Sequence, residues 1–137
     1  MSGTGYLIIG ANGQLGKALQ AQYPSAMAVD TAELDISNKQ AVESFDWSNV
    51  RVILNAAAYT NVDAAETPEG RVAAWKVNAT AVGYLVEAAR KHSITLVHIS
   101  TDYVFDGTKN PHTETEPFSP LSVYGASKAA GDLLVSS

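Results

Sequence analysis

Tyr124 and Lys128 stand four residues apart in "SPLSVYGASK", residues 119–128. On a helix that spacing puts both side chains on one face, where they can enter one pocket. A phenol is a sluggish proton donor or acceptor at neutral pH. An ammonium beside it stabilises the phenolate, and the two can then act as general acid and base. Spacing alone does not decide, because Tyr and Lys also meet on plain solvent-facing helices. Upstream, "HISTDYVFDG" releases Ser100 and Thr101 from an apolar run as neighbouring hydroxyls. One of them can donate a hydrogen bond to a substrate carbonyl, or either can cap a turn.

The stretch "GANGQLG" sets Gly10, Gly13 and Gly16 at three-residue intervals between an apolar run and a helical pattern. Glycines so placed allow a tight turn, let a pyrophosphate lie on backbone amides, and let helix pack closely on strand. Asn12, Gln14 and Leu15 belong to the same turn and count with Gly10 and Gly13 as cofactor-binding positions. Asp30 follows Gly10 at about the 20-residue distance of a ribose-binding acid. Its carboxylate can accept from the adenosine ribose hydroxyls and would repel a 2′-phosphate, which favours NADH over NADPH; a loop acid or helix cap is the other reading. Asp35 and Ile36 in "ELDI" can hold an adenine through one polar and one apolar contact, although Asp35 also suits a turn. In "NAAAYTNVDAAE", the small residues Ala56, Ala57 and Ala58, followed by Tyr59, let phosphates and ribose approach the backbone, or pack beneath the next helix.

These groups can cooperate only if the fold brings them to one edge. Residues 6–10, 26–30, 51–58 and 94–100 read as strands, short apolar runs of the kind a buried parallel sheet requires. Between them, residues 14–22 read as a helix with Leu15, Ala18 and Leu19 on one face, and "SNKQAVESF" as a helix capped by Ser37. Residues 61–92 read as a short helix, a break at Thr67 and Pro68, and a long helix turning Val72, Trp75, Val82, Leu85, Val86 and Ala89 inward. Asn78, polar within that stripe, must bond a neighbouring strand's backbone or be exposed. Residues 106–121 form a long loop in which Glu114 and Glu116 read as solvated acids, and a last helix begins at Val123 or Tyr124. The alternation predicts an α/β fold: a doubly wound parallel sheet of the Rossmann type with about four strands. Ligands bind such sheets at the strands' carboxyl ends, where Gly10, Asp30, Asn55 and Ser100 all fall.

With 137 residues, 46% of them apolar and 17% charged, the chain suits one globular domain, residues 1–137. A net charge of −5 with scattered Lys and Arg argues against a nucleic-acid partner. No apolar run approaches the ~20 residues of a bilayer span, so no membrane partner is expected. Cysteine is absent, which excludes disulfides and thiolate metal sites. The opening "MSGTGYLIIGANG" has no basic leader, which points to the cytoplasm. His92 and His112 read as surface residues and His98 as a strand residue, none with a second ligand at metal-binding spacing, so no metal is assigned.

Together the Tyr-Lys pair, the Ser-Thr strand end and the glycine turn resemble the Tyr-x-x-x-Lys signature of the extended short-chain dehydrogenase/reductase superfamily. More particularly, the sequence is similar to the dTDP-4-dehydrorhamnose reductases. "GANGQLG", "LDI", "NAAAYTNVDAAE", "VNA", "HISTDYVFDG" and "SPLSVYGASKAAGD" occur in that family's order across residues 10–132. The resemblance implies that Tyr124 gives a proton to a C4 keto oxygen as hydride arrives from NADH or NADPH. It implies that Lys128 holds the nicotinamide ribose and favours the ionised phenol, and that Thr101 hydrogen-bonds the keto oxygen. Thr101, Asp102, Tyr103 and Tyr124 would face the sugar nucleotide. The related 4,6-dehydratases carry an acid where this chain has Tyr103, which disfavours dehydration. The family's proteins are about twice as long, so the chain is expected to be a portion ending within the Tyr124 helix, without turnover alone, its uncovered apolar faces favouring self-association; a homodimer is compatible. Other readings are a different sugar-nucleotide reductase or epimerase, a non-catalytic subunit similar to the regulatory subunit of methionine adenosyltransferase, and a purely structural domain.

Overall fold

The computed structural model describes residues 2–137. Four parallel strands, β1 (Tyr6–Ile9), β2 (Met27–Val29), β3 (Val52–Asn55) and β4 (Thr95–His98), lie in the order β2-β1-β3-β4. Leu7 pairs with Met27 on one side and with Ile53 on the other, and Asn55 pairs with His98. The helices are α1 (Gln14–Gln22), α2 (Lys39–Ser44), α3 (Pro68–Trp75), α4 (Ala81–His92) and α5 (Val123–Ser136). Parallel neighbours need right-handed crossovers, and the chain reverses direction across β1 after β2. That reversal puts α1 on one face of the sheet, and α2 and α4 on the other, where they touch each other and α4 touches α5.

The core lies on the α2 and α4 face. Leu7, Ile9, Ile53 and Val29 from the strands meet Val42, Trp47, Ala81, Leu85, Ala88 and Ala89. Leu7, Ile53 and Leu85 are fully buried, each contributing about 1.5–3 kcal/mol by leaving water. Trp47 satisfies its indole N–H on the Val42 carbonyl at 2.9 Å. The opposite face is thinner. Ile8 is buried there, but Val97 and Ile99 at the β4 end are 41% exposed.

Each paired strand is shorter than the apolar run suggests, because residues past its carboxyl end leave the ladder to form the site. Ser37 is not the cap of α2. The Asn38 side chain accepts from Ala41 N at 3.2 Å, while Ser37 Oγ donates to Asp35 at 2.6 Å. The break at Thr67 and Pro68 is present: Thr67 Oγ1 accepts from Gly70 N and Pro68 opens α3. The inward face expected of α3 is wrong, however. Val72 is 69% exposed and Trp75 40%, whereas Gly70 and Ala74 are buried. The cause is a π-helical turn, Lys76–Thr80, between α3 and α4. One extra residue in that turn rotates everything before it by about a third of a turn, so the stripe of Val82, Leu85, Val86 and Ala89 does not extrapolate backwards. In α1, Leu15 and Ala18 are exposed, Leu19 half-buried, and Gly16 is the residue in contact with the sheet.

Candidate functional site

The segments leaving β1, β2 and β3 enclose a groove along the sheet's carboxyl edge. At one end a hollow of about 300 Å³ is bounded by Gly10, Gly13, Asp30, Asp35, Ile36 and Ala56 to Tyr59. At the other, a hollow of about 460 Å³ is bounded by Gln14, Leu15, Asn55, Ile99, Ser100, Tyr124 and Lys128. Gly13, Ala56, Ala57 and Ala58 border both, so the two are halves of one groove crossing the glycine turn. The turn requires glycine. Gly10 has φ +83°, and a Cβ there would stand 2.7 Å from Ala57 N. A Cβ on Gly16 would collide with the Gly10 carbonyl, which is how closely α1 sits on β1. Above Gly13 there is room: the nearest atom to a Cβ would be Gly10 O at 3.4 Å. The amides of the first turn of α1 have no acceptors within the helix, so this cradle fits a pyrophosphate.

Asp30 sits at the end of β2 with its carboxylate fixed by backbone. Oδ2 accepts from Asn12 N at 2.8 Å and Oδ1 from Thr31 N at 2.8 Å. Those bonds, Asn12 first, hold its pKa below the usual aspartate value. It thus remains an anion with lone pairs open to the groove, while Asn12 meets the site through its backbone. Asp35 is held low by the Ser37 hydroxyl, which makes it a turn residue that also borders the hollow.

At the opposite end α5 supplies two groups. Its N-terminus is fastened twice: the Ser122 side chain accepts from Gly125 N at 3.0 Å, and Glu66 accepts from Val123 N at 2.8 Å. Tyr124 is buried beside Ala65 and Ala74, with Tyr103 edge-on at 5.7 Å. Its hydroxyl makes no hydrogen bond to protein among the described residues. Lys128, only 3% exposed, donates from Nζ to the Ile99 carbonyl at 2.6 Å. Burial pushes its pKa below the ordinary lysine range, and the Asp132 charge opposes that shift.

Tyr124 and Lys128 therefore share one hollow, as their spacing predicts. Thr101 does not border it. The Thr101 side chain accepts from Tyr103 N at 3.3 Å and caps a short 3-10 turn, Asp102–Val104. Asp102 and Tyr103 face an adjoining cavity of about 410 Å³ with Val62, Phe105, His112 and Leu121. The loop beside it is stapled by Glu116, which pairs with Lys109 at 2.9 Å and with His112, itself stacked on Phe105. Glu116 is thus an inward loop staple and not a solvated acid. Asn78 bonds the Tyr59 backbone from both ends of its amide, at 2.9 and 3.0 Å, and donates to Ser127 at 3.1 Å. Sequence reasoning missed Asp132, whose side chain meets His98 and Ser100. The signal was present, since Asp132 repeats the four-residue spacing of Tyr124 and Lys128 on the same face of α5.

A parallel sheet with a glycine turn after β1 and an alanine run after β3, joined in one groove, defines a Rossmann-type domain. Residues 4–137 match the family described as the RmlD substrate binding domain, and the chain belongs to that family. It is 47% identical over 137 residues to a dTDP-4-dehydrorhamnose reductase of Aggregatibacter actinomycetemcomitans, covering 94% of this chain and 46% of that protein. A solved dTDP-4-dehydrorhamnose reductase from Clostridium acetobutylicum superposes with a TM-score of 0.89 at 41% identity, covering 96% of this chain and 48% of that one. A second, from Bacillus anthracis in complex with NADP, gives 0.89 at 38% identity, covering 99% and 50%. The chain thus spans about half the length of the relatives it matches.

Proposed function

We propose that this chain is the nicotinamide-nucleotide-binding portion of a reductase that converts the C4 ketone of dTDP-4-dehydro-L-rhamnose to the alcohol of dTDP-L-rhamnose, in the cytoplasm, with NADPH or NADH. The observation that carries the reading is the groove itself, which runs from the Asp30 carboxylate over the glycine turn to the buried Lys128 ammonium and the Tyr124 phenol. A dinucleotide laid along it would place its adenosine by Asp30, Asp35 and Ile36. Its pyrophosphate would lie on the amides at Gly13, Gln14 and Leu15, and its nicotinamide ribose by Ala56, Ala57, Ala58 and Lys128, with Tyr59 on the adenosine side of that alanine run.

The reduced nicotinamide supplies the hydride. The chain's residues supply the rest: Tyr124 gives its proton to the keto oxygen as that oxygen gains charge, and Lys128 balances the phenolate left behind. The Thr101 hydroxyl holds the keto oxygen: its capping bond uses only an oxygen lone pair, and its proton turns from the long contact with Asp102 to the substrate. Asp102 and Tyr103 border the adjoining cavity, where the sugar nucleotide would lie. A tyrosine at position 103 offers no carboxylate for eliminating water, which favours simple ketone reduction over dehydration.

The test uses a polypeptide carrying this sequence at the length of its relatives. Given dTDP-4-dehydro-L-rhamnose, it oxidises NADPH or NADH, followed as loss of the reduced nicotinamide's absorbance. Failure to oxidise either nucleotide overturns the reading.

A further inference from the structure

We propose that Asp132 and His98 form a positioning pair for Lys128, fastening the segment that leaves β4 to α5 and placing a compensating carboxylate beside the buried ammonium. The inference rests on the reading that Lys128 serves the reduction. Beyond His98, the last residue of β4 paired with β3, residues 99 and 100 leave the ladder. Three consecutive residues there meet α5: the His98 ring faces Asp132, the Ile99 carbonyl accepts from Lys128 Nζ, and the Ser100 hydroxyl donates to Asp132 Oδ2. The ammonium's position is therefore only as fixed as the Ile99 carbonyl, and Asp132 is what ties the residues on either side of that carbonyl.

The His98 ring is oriented by its other neighbour. Asn55 Oδ1 accepts from Ala57 N at 3.2 Å, which turns Nδ2 toward His98 Nδ1 at 3.1 Å. Nδ1 must then accept, so the proton of the neutral ring lies on Nε2, facing Asp132 Oδ1 at 3.5 Å. Both of those atoms are buried and make no regular hydrogen bond. Two buried polar atoms left facing each other have no better partner than their mutual attraction, and they close a chain from Ala57 through Asn55, His98 and Asp132 to Ser100. Ala57 borders both halves of the groove, so this chain joins the nucleotide's wall to the helix bearing Tyr124 and Lys128.

A lysine this buried is stable as a cation only with a counter-charge nearby. Among the described residues, the charge that acts on it is Asp132, one turn on in α5; Tyr124 borders the same hollow, and His98 of β4 meets Asp132. The α1 turn and the β3 exit offer the neutral Gln14 and Asn55. Asp132 is the acid of that set.

Three variants, made in a polypeptide of the relatives' length, test the pair. Asp132→Asn keeps shape and, with its amide oxygen toward Ser100, the bond from that hydroxyl, but removes the charge and turns its NH2 to the His98 ring. Observed by NMR of ε-labelled lysine, Lys128 is expected to lose its proton at lower pH than in the parent, and the alkaline limb of turnover to move the same way, whereas Asp132→Glu restores the parent titration. A purely structural role would lower stability without moving that titration, and an unmoved Lys128 overturns the proposal. Ser100→Ala cuts the fastening and leaves the charge. It is expected to lower kcat about tenfold, below the loss from removing a direct transition-state donor, at unchanged KM; unchanged kcat overturns the proposal even if Asp132→Asn does not fold. A parent protein that turns nothing over defeats the reductase reading instead, while the NMR titration still decides the pair.

Discussion

At the scale of the residue, Tyr124 separates chemistry from architecture unusually cleanly. Its ring fills a small cluster with Ala65 and Ala74, but its hydroxyl bonds nothing in the protein. Tyr124→Phe should therefore keep the fold and nicotinamide-nucleotide binding while lowering turnover about 10²–10⁴-fold, the range of a lost general acid. Steady-state kinetics beside a nucleotide titration and a thermal melt check this, and a variant with parental activity would reduce Tyr124 to a packing residue. The pair of Tyr124 and Lys128 was legible because its meaning is carried by spacing on one helix. Asp132 has the same spacing, yet its part depends on His98 and Ser100 arriving from another element, a contact that no local pattern encodes. Thr101 shows the same limit from the other side: its type suits a carbonyl donor, but its bonds are those of a cap.

At the scale of the element, α5 is held by close backbone approach. A Cβ on Gly131 would collide with the Asn78 carbonyl of the π-helical turn, and one on Gly125 with the Tyr103 carbonyl. Neither obstacle is a flexible side chain, so the helix itself must move. Gly131→Ala should accordingly destabilise the protein by about 1–3 kcal/mol despite alanine's better helix propensity, read as a lowered Tm. An equal or higher Tm would show that α5 and the turn can part at no cost. The strands and helices were legible from apolar runs and caps, and the break at Thr67 and Pro68 from proline itself. The π-helical turn was not, because a single inserted residue leaves composition and hydrophobicity unchanged and alters only phase. That shift is why Val72 and Trp75 are exposed.

At the scale of the whole molecule, hydrogen bonds to carboxylates set the response to acid. Asp30 is held low by the Asn12 amide, Asp35 by the Ser37 hydroxyl, Asp46 by the Ser48 hydroxyl and Asp106 by the Thr108 hydroxyl. Each folded pKa lies below the ordinary 3.8, so the unfolded chain binds more protons in that interval. The stability they lend is complete above 3.8 and is lost as pH falls through the folded values. Lys128 acts in the same direction at the alkaline end: its lowered pKa makes its burial a cost below that value, relieved as pH rises toward the ordinary lysine range. Thermal melts from about pH 7 down to about pH 3 should show Tm steady at first and then falling below the ordinary aspartate range, whereas a Tm that rises on acidification would contradict these bonds. The fold class was legible at this scale from strict strand and helix alternation. The reversal of strand order across β1, which makes the groove, was implied by that class and not by any one residue.

The amide of Asn78 offers Tyr59 one donor and one acceptor at the separation of a peptide group, so it acts as a single unit of neighbouring β-strand. The sheet is in effect one residue wider at the exit of β3 than its strands account for. The loop that borders both halves of the groove is thereby zipped to a helix as if to a ladder. Of the twenty side chains only Asn and Gln can make that counterfeit peptide, and a carboxylate of the same shape would set an acceptor against the Tyr59 carbonyl.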